Sequence, residues 1–207
     1  LIKGPAKLHG FAGYDDGKKR NTRGDGNKGS DISRVFERGL RIINDSDRGQ
    51  GPGEIVVKRS YFENHLSNHF EYPRNFQASL IKEKELDHFA KDAINAKAAL
   101  FVPFTQLPYW QGSIKEFKNN FSEIVVELEQ GVDFDIDGVV FEVVNTDMKL
   151  HMGSNRKFHR WQIAYKENKE KAQVKVISIT PQVGRTGKIT PVAELEPPQL
   201  SGATIYR

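Results

Sequence analysis

Cysteine is absent from the 207 residues, which excludes disulfide and thiolate chemistry and fits a reducing compartment. Any metal must then be held by oxygen or nitrogen. Long hydrophobic runs are lacking as well. Polar residues break every apolar stretch well short of membrane-spanning length, so no membrane segment is expected. The sequence opens Leu1-Ile2-Lys3-Gly4-Pro5, with neither an initiator methionine nor the apolar core of a signal peptide. It reads as a fragment or a processed chain. Neither an internal repeat nor a low-complexity tract is present.

What remains is the composition of a soluble protein: 37% hydrophobic, 28% charged, with a mean hydropathy of −0.59. The length suits one well-cored domain, or one domain with part of a second. A net charge of +4 leans modestly toward a polyanionic partner. Its distribution says more. Lys18, Lys19, Arg20, Arg23 and Lys28 cluster among glycines, and Arg156, Lys157, His159 and Arg160 form a second group. Each reads alone equally well as a solvated loop; together they could track a phosphate backbone.

Periodicity predicts a hairpin that begins at Lys7, turns at Asp15-Asp16-Gly17 and returns through Lys18 to Thr22. A helix is expected from Ser30 to about Leu40, with Ser30 and Asp31 suited to its N-terminus. Further expectations are a strand at 53–58, helices at 61–70 and 83–96, a buried strand at 98–104, and a helix at 113–121. Residues 122–130 are ambiguous between helix and strand. Strands are expected at 137–144, 161–166 and 174–179. Without a regular βαβ rhythm, this predicts an α+β fold with a mostly antiparallel sheet. The charged break at 167–171 places a domain boundary near residue 172.

The most informative stretch runs Gln182-Val183-Gly184-Arg185-Thr186-Gly187-Lys188-Ile189-Thr190-Pro191-Val192-Ala193-Glu194-Leu195-Glu196-Pro197. Taken singly, Gly184 and Gly187 are turn glycines and Ile189, Val192 and Leu195 are strand residues. Upstream, short motifs follow in order: Lys7-Leu8-His9-Gly10, Thr22-Arg23-Gly24-Asp25-Gly26, Gly53-Glu54, Pro73-Arg74-Asn75, Asp137-Gly138-Val139-Val140, and Trp161-Gln162-Ile163-Ala164-Tyr165-Lys166. A lone lysine before a glycine is weak evidence, since most are surface lysines. The ordered set resembles the NAD-dependent DNA ligases of bacteria, phages and viruses, from Lys7 to Arg207.

That resemblance implies a nucleotidyltransferase (adenylation) domain over residues 1–171, of the DNA ligase and capping-enzyme type. The start of an oligonucleotide-binding (OB) fold would occupy residues 172–207. It implies a lysine that attacks the adenylyl phosphorus of NAD, passes AMP to the 5′-phosphate of nicked double-stranded DNA, and lets the 3′-hydroxyl seal the nick. By resemblance Lys7 is the adenylated residue, Glu54 the carboxylate near the ribose, and Asp137 the carboxylate near the phosphate. Glu54 and Asp137 are the candidates for Mg2+. Arg23, Arg74 and Lys166 would stabilise phosphate oxygens, and Phe104 would offer a face to adenine. Singly, Glu54 is a strand-end glutamate, Asp137 a turn aspartate and Phe104 a core ring. The family's separate N-terminal domain for the nicotinamide mononucleotide half, here a missing domain or subunit, does not precede Lys7. The chain alone is therefore not expected to seal nicks efficiently. A cytoplasmic setting, bacterial or in a virus-infected cell, follows from the resemblance.

Four positions depart from the family pattern. His9 stands in the aspartate position of the first motif and Glu142 in the lysine position of the fourth. Pro5 replaces a glutamate before the nucleophile, and Ile81 an arginine after Pro-Arg-Asn. Because an anion became His9 and a cation became Glu142, a compensating His9–Glu142 pair is one expectation. The alternative is a ligase-like module that binds nucleotide or nicked DNA with impaired catalysis. An ATP-dependent RNA ligase or capping-type enzyme shares the lysine chemistry but leaves the stretch at 183–197 unexplained.

Overall fold

Alternation sets the first strand. In β1 (Ile2–Leu8), Gly4, Ala6 and Leu8 are buried while Lys3, Pro5 and Lys7 face the other way, as a period of two requires. The computed structural model describes residues 1–22, 29–82, 85–155, 158–166, 173–197, 199–200 and 203–204. After β1 come β2 (Phe11–Asp15), β3 (Arg20–Thr22), α1 (Ser33–Glu37), β4 (Arg41–Ile42) and β5 (Gly51–Val57). Then α2 (Arg59–Tyr61) runs into a π-helical turn at Phe62–Leu66, followed by α3 (Pro73–Leu80), α4 (His88–Asn95), β6 (Ala99–Pro103) and a 3-10 turn, Phe104–Gln106. The chain continues through β7 (Tyr109–Gly112), α5 (Ile114–Asn119), α6 (Phe121–Gln130), β8 (Ile136–Val143), α7 (Thr146–Met152) and β9 (Gln162–Tyr165). Last are β10 (Val176–Val183), β11 (Ile189–Leu195), β12 (Gln199–Leu200) and β13 (Ala203–Thr204).

These elements divide into two compact units, Leu1–Glu167 and Asn168–Arg207. The first holds two sheets. One is four-stranded and antiparallel, in the order β7-β1-β8-β9; the other is five-stranded, in the order β3-β2-β5-β6-β4, antiparallel except for the β4–β6 pair. Helix α6 lays Ile124, Val125 and Leu128 against Ala6, Val139 and Phe141 of the first sheet. Helices α1, α3 and α4 cover the second through Val35, Phe76, Leu80, Ala90 and Ile94, around Ile55 and Phe101. Leu8 from the first sheet and Val56, Leu100 and Val102 from the second share a further cluster with Leu107 and Phe134. Apolar packing thus joins the two sheets beneath the β1–β2 connection.

The mixed α+β, mostly antiparallel class agrees with expectation; several elements do not. Lys7 does not open a hairpin: β1 ends at Leu8 and β2 begins in the other sheet. The hairpin is β2–β3, in register Asp15↔Arg20, and its turn is the expected one. Buried Asp15 holds it, accepting from the backbone N–H of Gly17 at 3.0 Å and from Arg48 at 2.9 Å. The helix expected from Ser30 is only α1, and Asp31 accepts from the Ser33 N–H at 2.7 Å just ahead of it. Helix α3 was not expected at all. Pro73 reads as a terminator, yet proline suits the first helical turn, where its missing N–H costs nothing. Residues 122–130 resolve as helix α6.

In the second unit, β10 and β11 form an antiparallel ribbon in register Val183↔Ile189. Gly187 turns it at φ 79°, and Gly187 N–H donates to Gly184 O at 2.9 Å. Ile177, Ile179, Val183 and Ile189 are exposed on it. No helix among the described residues is long and apolar enough to cross a membrane.

Candidate active site

Strand parity would bury Asp137. Val139 and Phe141 of β8 point into the core, and position 137 shares their parity. A bulge reverses it. Lys7 pairs with Gly138 and Leu8 with Ile136, so Asp137 is the extra residue, and its side chain turns to the open face that Lys7 occupies. There Lys7 Nζ donates to Asp137 Oδ1 at 2.9 Å, and Lys166 Nζ lies 2.7 Å from Asp137 Oδ2. One carboxylate thus bridges two ammonium groups. Its pKa is pushed up by burial, but the hydrogen bonds and charges of Lys166 and Lys7 outweigh this and leave it below the ordinary aspartate value.

Lys166 is positioned by Gly138. That residue has φ +146°, and a Cβ built on it would sit 1.9 Å from the Tyr165 carbonyl oxygen. Only glycine lets β9 approach so closely. Gly10 plays a similar part where β1 crosses toward β2, since a Cβ there would meet Ile55 O at 2.5 Å and Glu54 Cγ at 2.7 Å.

These residues open onto a cavity of about 760 Å3, whose walls include Lys7, His9, Glu54, Arg74, Asp137 and Lys166. Glu54 comes from β5, in register with Ala12 and Val102; Arg74 comes from the first turn of α3. The half-buried imidazole of His9 has its pKa lowered by burial. Asp137 pulls it back up, and Arg74 and Lys7 add to the lowering. The cavity extends past Thr22, Ser30, Arg34, Ile81 and Lys82.

Arg34 on this far wall was not among the sequence candidates. Its guanidinium donates to Ile81 O at 2.8 Å, and Arg38, one turn on, donates to Lys82 O at 3.0 Å. Together they satisfy carbonyls at the C-terminal end of α3. An arginine pair at i, i+4 ahead of a helix end was the available signal, but its target lies more than forty residues away in sequence. Gln77 was also missed.

Two candidates lie elsewhere and one falls outside the described residues. Phe104 sits in the 3-10 turn after β6, 43% exposed, and is not part of the cavity wall. Arg23 lies outside the described residues. The expected His9–Glu142 pair does not form. Glu142 lies across from Lys3, four residues along β1 from Lys7, roughly 13 Å at strand rise. Its carboxylate is taken by Lys149 at 3.4 Å and Gln162 at 2.9 Å. Lys149 in turn lies 4.3 Å above the Trp161 ring.

For Mg2+, the described residues offer no group of three or more His, Asp or Glu side chains able to hold an ion. Both oxygens of Asp137 already face ammonium groups. The protein donors therefore do not form a metal cage by themselves.

Residues 173–207 match the family model of the NAD-dependent DNA ligase OB-fold domain. The whole chain is 65% identical to a DNA ligase of Ruthia magnifica subsp. Calyptogena magnifica over 206 residues, covering 34% of that protein. It is 54% identical to a DNA ligase of Psychromonas ingrahamii, covering 32% of it. A DNA ligase of a Wolbachia from Brugia malayi is 32% identical over 94% of this chain. The chain thus spans about a third of the length of the relatives it matches.

Proposed function

We propose that this chain is the adenylation core, with the start of the OB-fold domain, of an NAD-dependent DNA ligase, and that Lys7 is the residue that takes AMP. The observation that carries the reading is the Lys7–Asp137–Lys166 bridge on the wall of a cavity that also holds Arg74 and Glu54. The DNA ligase relatives along the whole chain support it.

In this reading Lys7 Nζ attacks the adenylyl phosphorus of NAD. An N–P bond forms, the bond from that phosphorus to the bridging oxygen breaks, and nicotinamide mononucleotide leaves with the electron pair. Lys7 gives its proton to solvent before it attacks, because an ammonium has no lone pair with which to attack. Asp137 Oδ1 orients the nitrogen, while Lys166 and Arg74 bring positive charge to the phosphate oxygens as charge builds on them. The 5′-phosphate of a nick then displaces Lys7 from the adenylyl phosphorus, and the 3′-hydroxyl displaces AMP from the DNA. Glu54 is assigned to the ribose, and Arg23 to the phosphates. No step is assigned to a metal.

The second reading, a module that binds nucleotide or nicked DNA without transferring AMP, draws on His9 and Glu142. Both carry a changed charge in the motifs nearest Lys7. The test is incubation of the chain with radiolabelled NAD, or with ATP, in the presence of Mg2+. An adduct from NAD that maps to Lys7, survives alkali but is released by acid as an N–P bond should be, and vanishes in Lys7→Ala is the expected result. Lys166→Ala should slow its formation by about a hundredfold, as loss of a phosphate-stabilising charge does elsewhere. A folded protein that forms no adduct with either nucleotide, yet retains a nicked duplex, would establish the second reading instead.

A further inference from the structure

Gln77 is 1% exposed, and an amide so deeply buried must find partners for both its oxygen and its nitrogen. With the nitrogen toward His9 O and the oxygen toward Val57 N, both bonds form at 3.2 Å. Each partner is a backbone group at the place where the chain changes sheets. Val57 ends β5 beyond Phe11↔Ile55, where the pairing with β2 stops. His9 is the first residue after β1, and its own N–H donates to Asp135 O at 2.8 Å. The crossover is therefore held from both sides, by Asp135 at the nitrogen of His9 and by Gln77 at its carbonyl. Gln77 also stands one turn after Arg74 on α3, whose far end is tied by Arg34 and Arg38.

We propose that Gln77 is a positioning residue, which braces the β1–β2 crossover and so fixes Lys7 and His9 relative to Arg74. The role rests on the reading of Lys7 as the nucleophile. Only Leu8 separates Lys7 from the residue whose carbonyl is braced, and the bulge beside Lys7 interrupts regular pairing at that end of β1. Loss of the brace should misplace the amine while leaving the cavity walls present.

The test uses Gln77→Met, which keeps the volume and removes both hydrogen bonds, and Gln77→Glu. The latter keeps the acceptor for Val57 N and, compared at a pH high enough to ionise it, sets an acceptor against His9 O. In the full chain, both variants should slow adenylation of Lys7 by on the order of tenfold to a hundredfold. Dissociation of NAD should change less than threefold, with Gln77→Glu the slower of the two. A general loss of fold would weaken both quantities together. The second readout needs no turnover: the His9 ring resonances, assigned through His9→Asn, should shift in both variants. Wild-type adenylation rates in folded Gln77→Met would overturn the proposal, as would unshifted His9 resonances. If the wild-type chain forms no lysyl adduct, the proposed function fails, and the His9 resonances still decide whether Gln77 braces the crossover.

Discussion

At the scale of single residues, the site is governed by where charge is held out of water. Asp137 and His9 both have folded pKa values below their ordinary ones, so in each case the folded state binds protons less readily than the unfolded chain. Stability should therefore fall as pH falls. The contribution of His9 is fully present above about pH 6.5 and declines as pH drops through its lowered folded value; that of Asp137 is present above about pH 3.9 and is lost below. Urea midpoints measured from pH 8 to pH 3 should show two declining regions. His9→Asn should flatten the upper one, and Asp137→Asn the lower. A midpoint that rises on acidification between pH 6.5 and 5 would contradict the assignment for His9. Lys7, Glu54, Arg74, Asp137 and Lys166 could be named from the sequence because each sits in a short motif. That they share one cavity could not, because their convergence depends on a bulge between Lys7 and Leu8 and on two sheets meeting. The same limit explains the failure of the His9–Glu142 pairing: opposite changes of charge along a sequence do not say which strand position faces which.

At the scale of elements, turns and caps were legible and sheet membership was not. The Asp15-Asp16-Gly17 turn followed from residue type, whereas β1, where the expected hairpin began, belongs to another sheet, a fact set by which apolar faces pack rather than by local preference. Helix α3 went unseen because Pro73 carries the same letter whether it ends a helix or begins one. The β2–β3 turn depends on the buried carboxylate of Asp15 between Arg48 and Arg20. Asp15→Asn should destabilise the first unit by about 2 kcal/mol, below the roughly 3–5 kcal/mol of a fully buried ion pair, since the Arg48 side chain is partly exposed. Removing the cap of α4 is milder. Asp87 accepts from the Ala90 N–H at 2.9 Å, and Asp87→Ala should cost about 1 kcal/mol. Chemical denaturation of both variants against the parent checks the order, and a larger loss in Asp87→Ala would reverse this account.

At the scale of the molecule, two units with different packing share one chain. The first buries a core around two sheets. The second, among its described residues, holds a short β12–β13 pair and the β10–β11 ribbon, which carries exposed isoleucine and valine side chains. That contrast is invisible in composition, because β-branched residues mark strands equally well whether or not something covers them. The net charge of +4 bears on the proposed DNA partner. Affinity for a nicked duplex should fall steeply between 50 and 200 mM salt, with a linear log–log slope, as phosphate contacts require. A salt-independent affinity would exclude phosphate contacts as the main source of binding.

Gly138 sets a limit on how this site can change over generations. Any side chain there collides with the carbonyl of Tyr165, the residue before Lys166. A replacement at that codon would therefore be felt at the amine of Lys166, just past the end of β9. In a saturation library selected for lysine modification, position 138 should tolerate no replacement, whereas neighbouring half-exposed Val140 accepts several. The point where two strands touch leaves no room for any other residue.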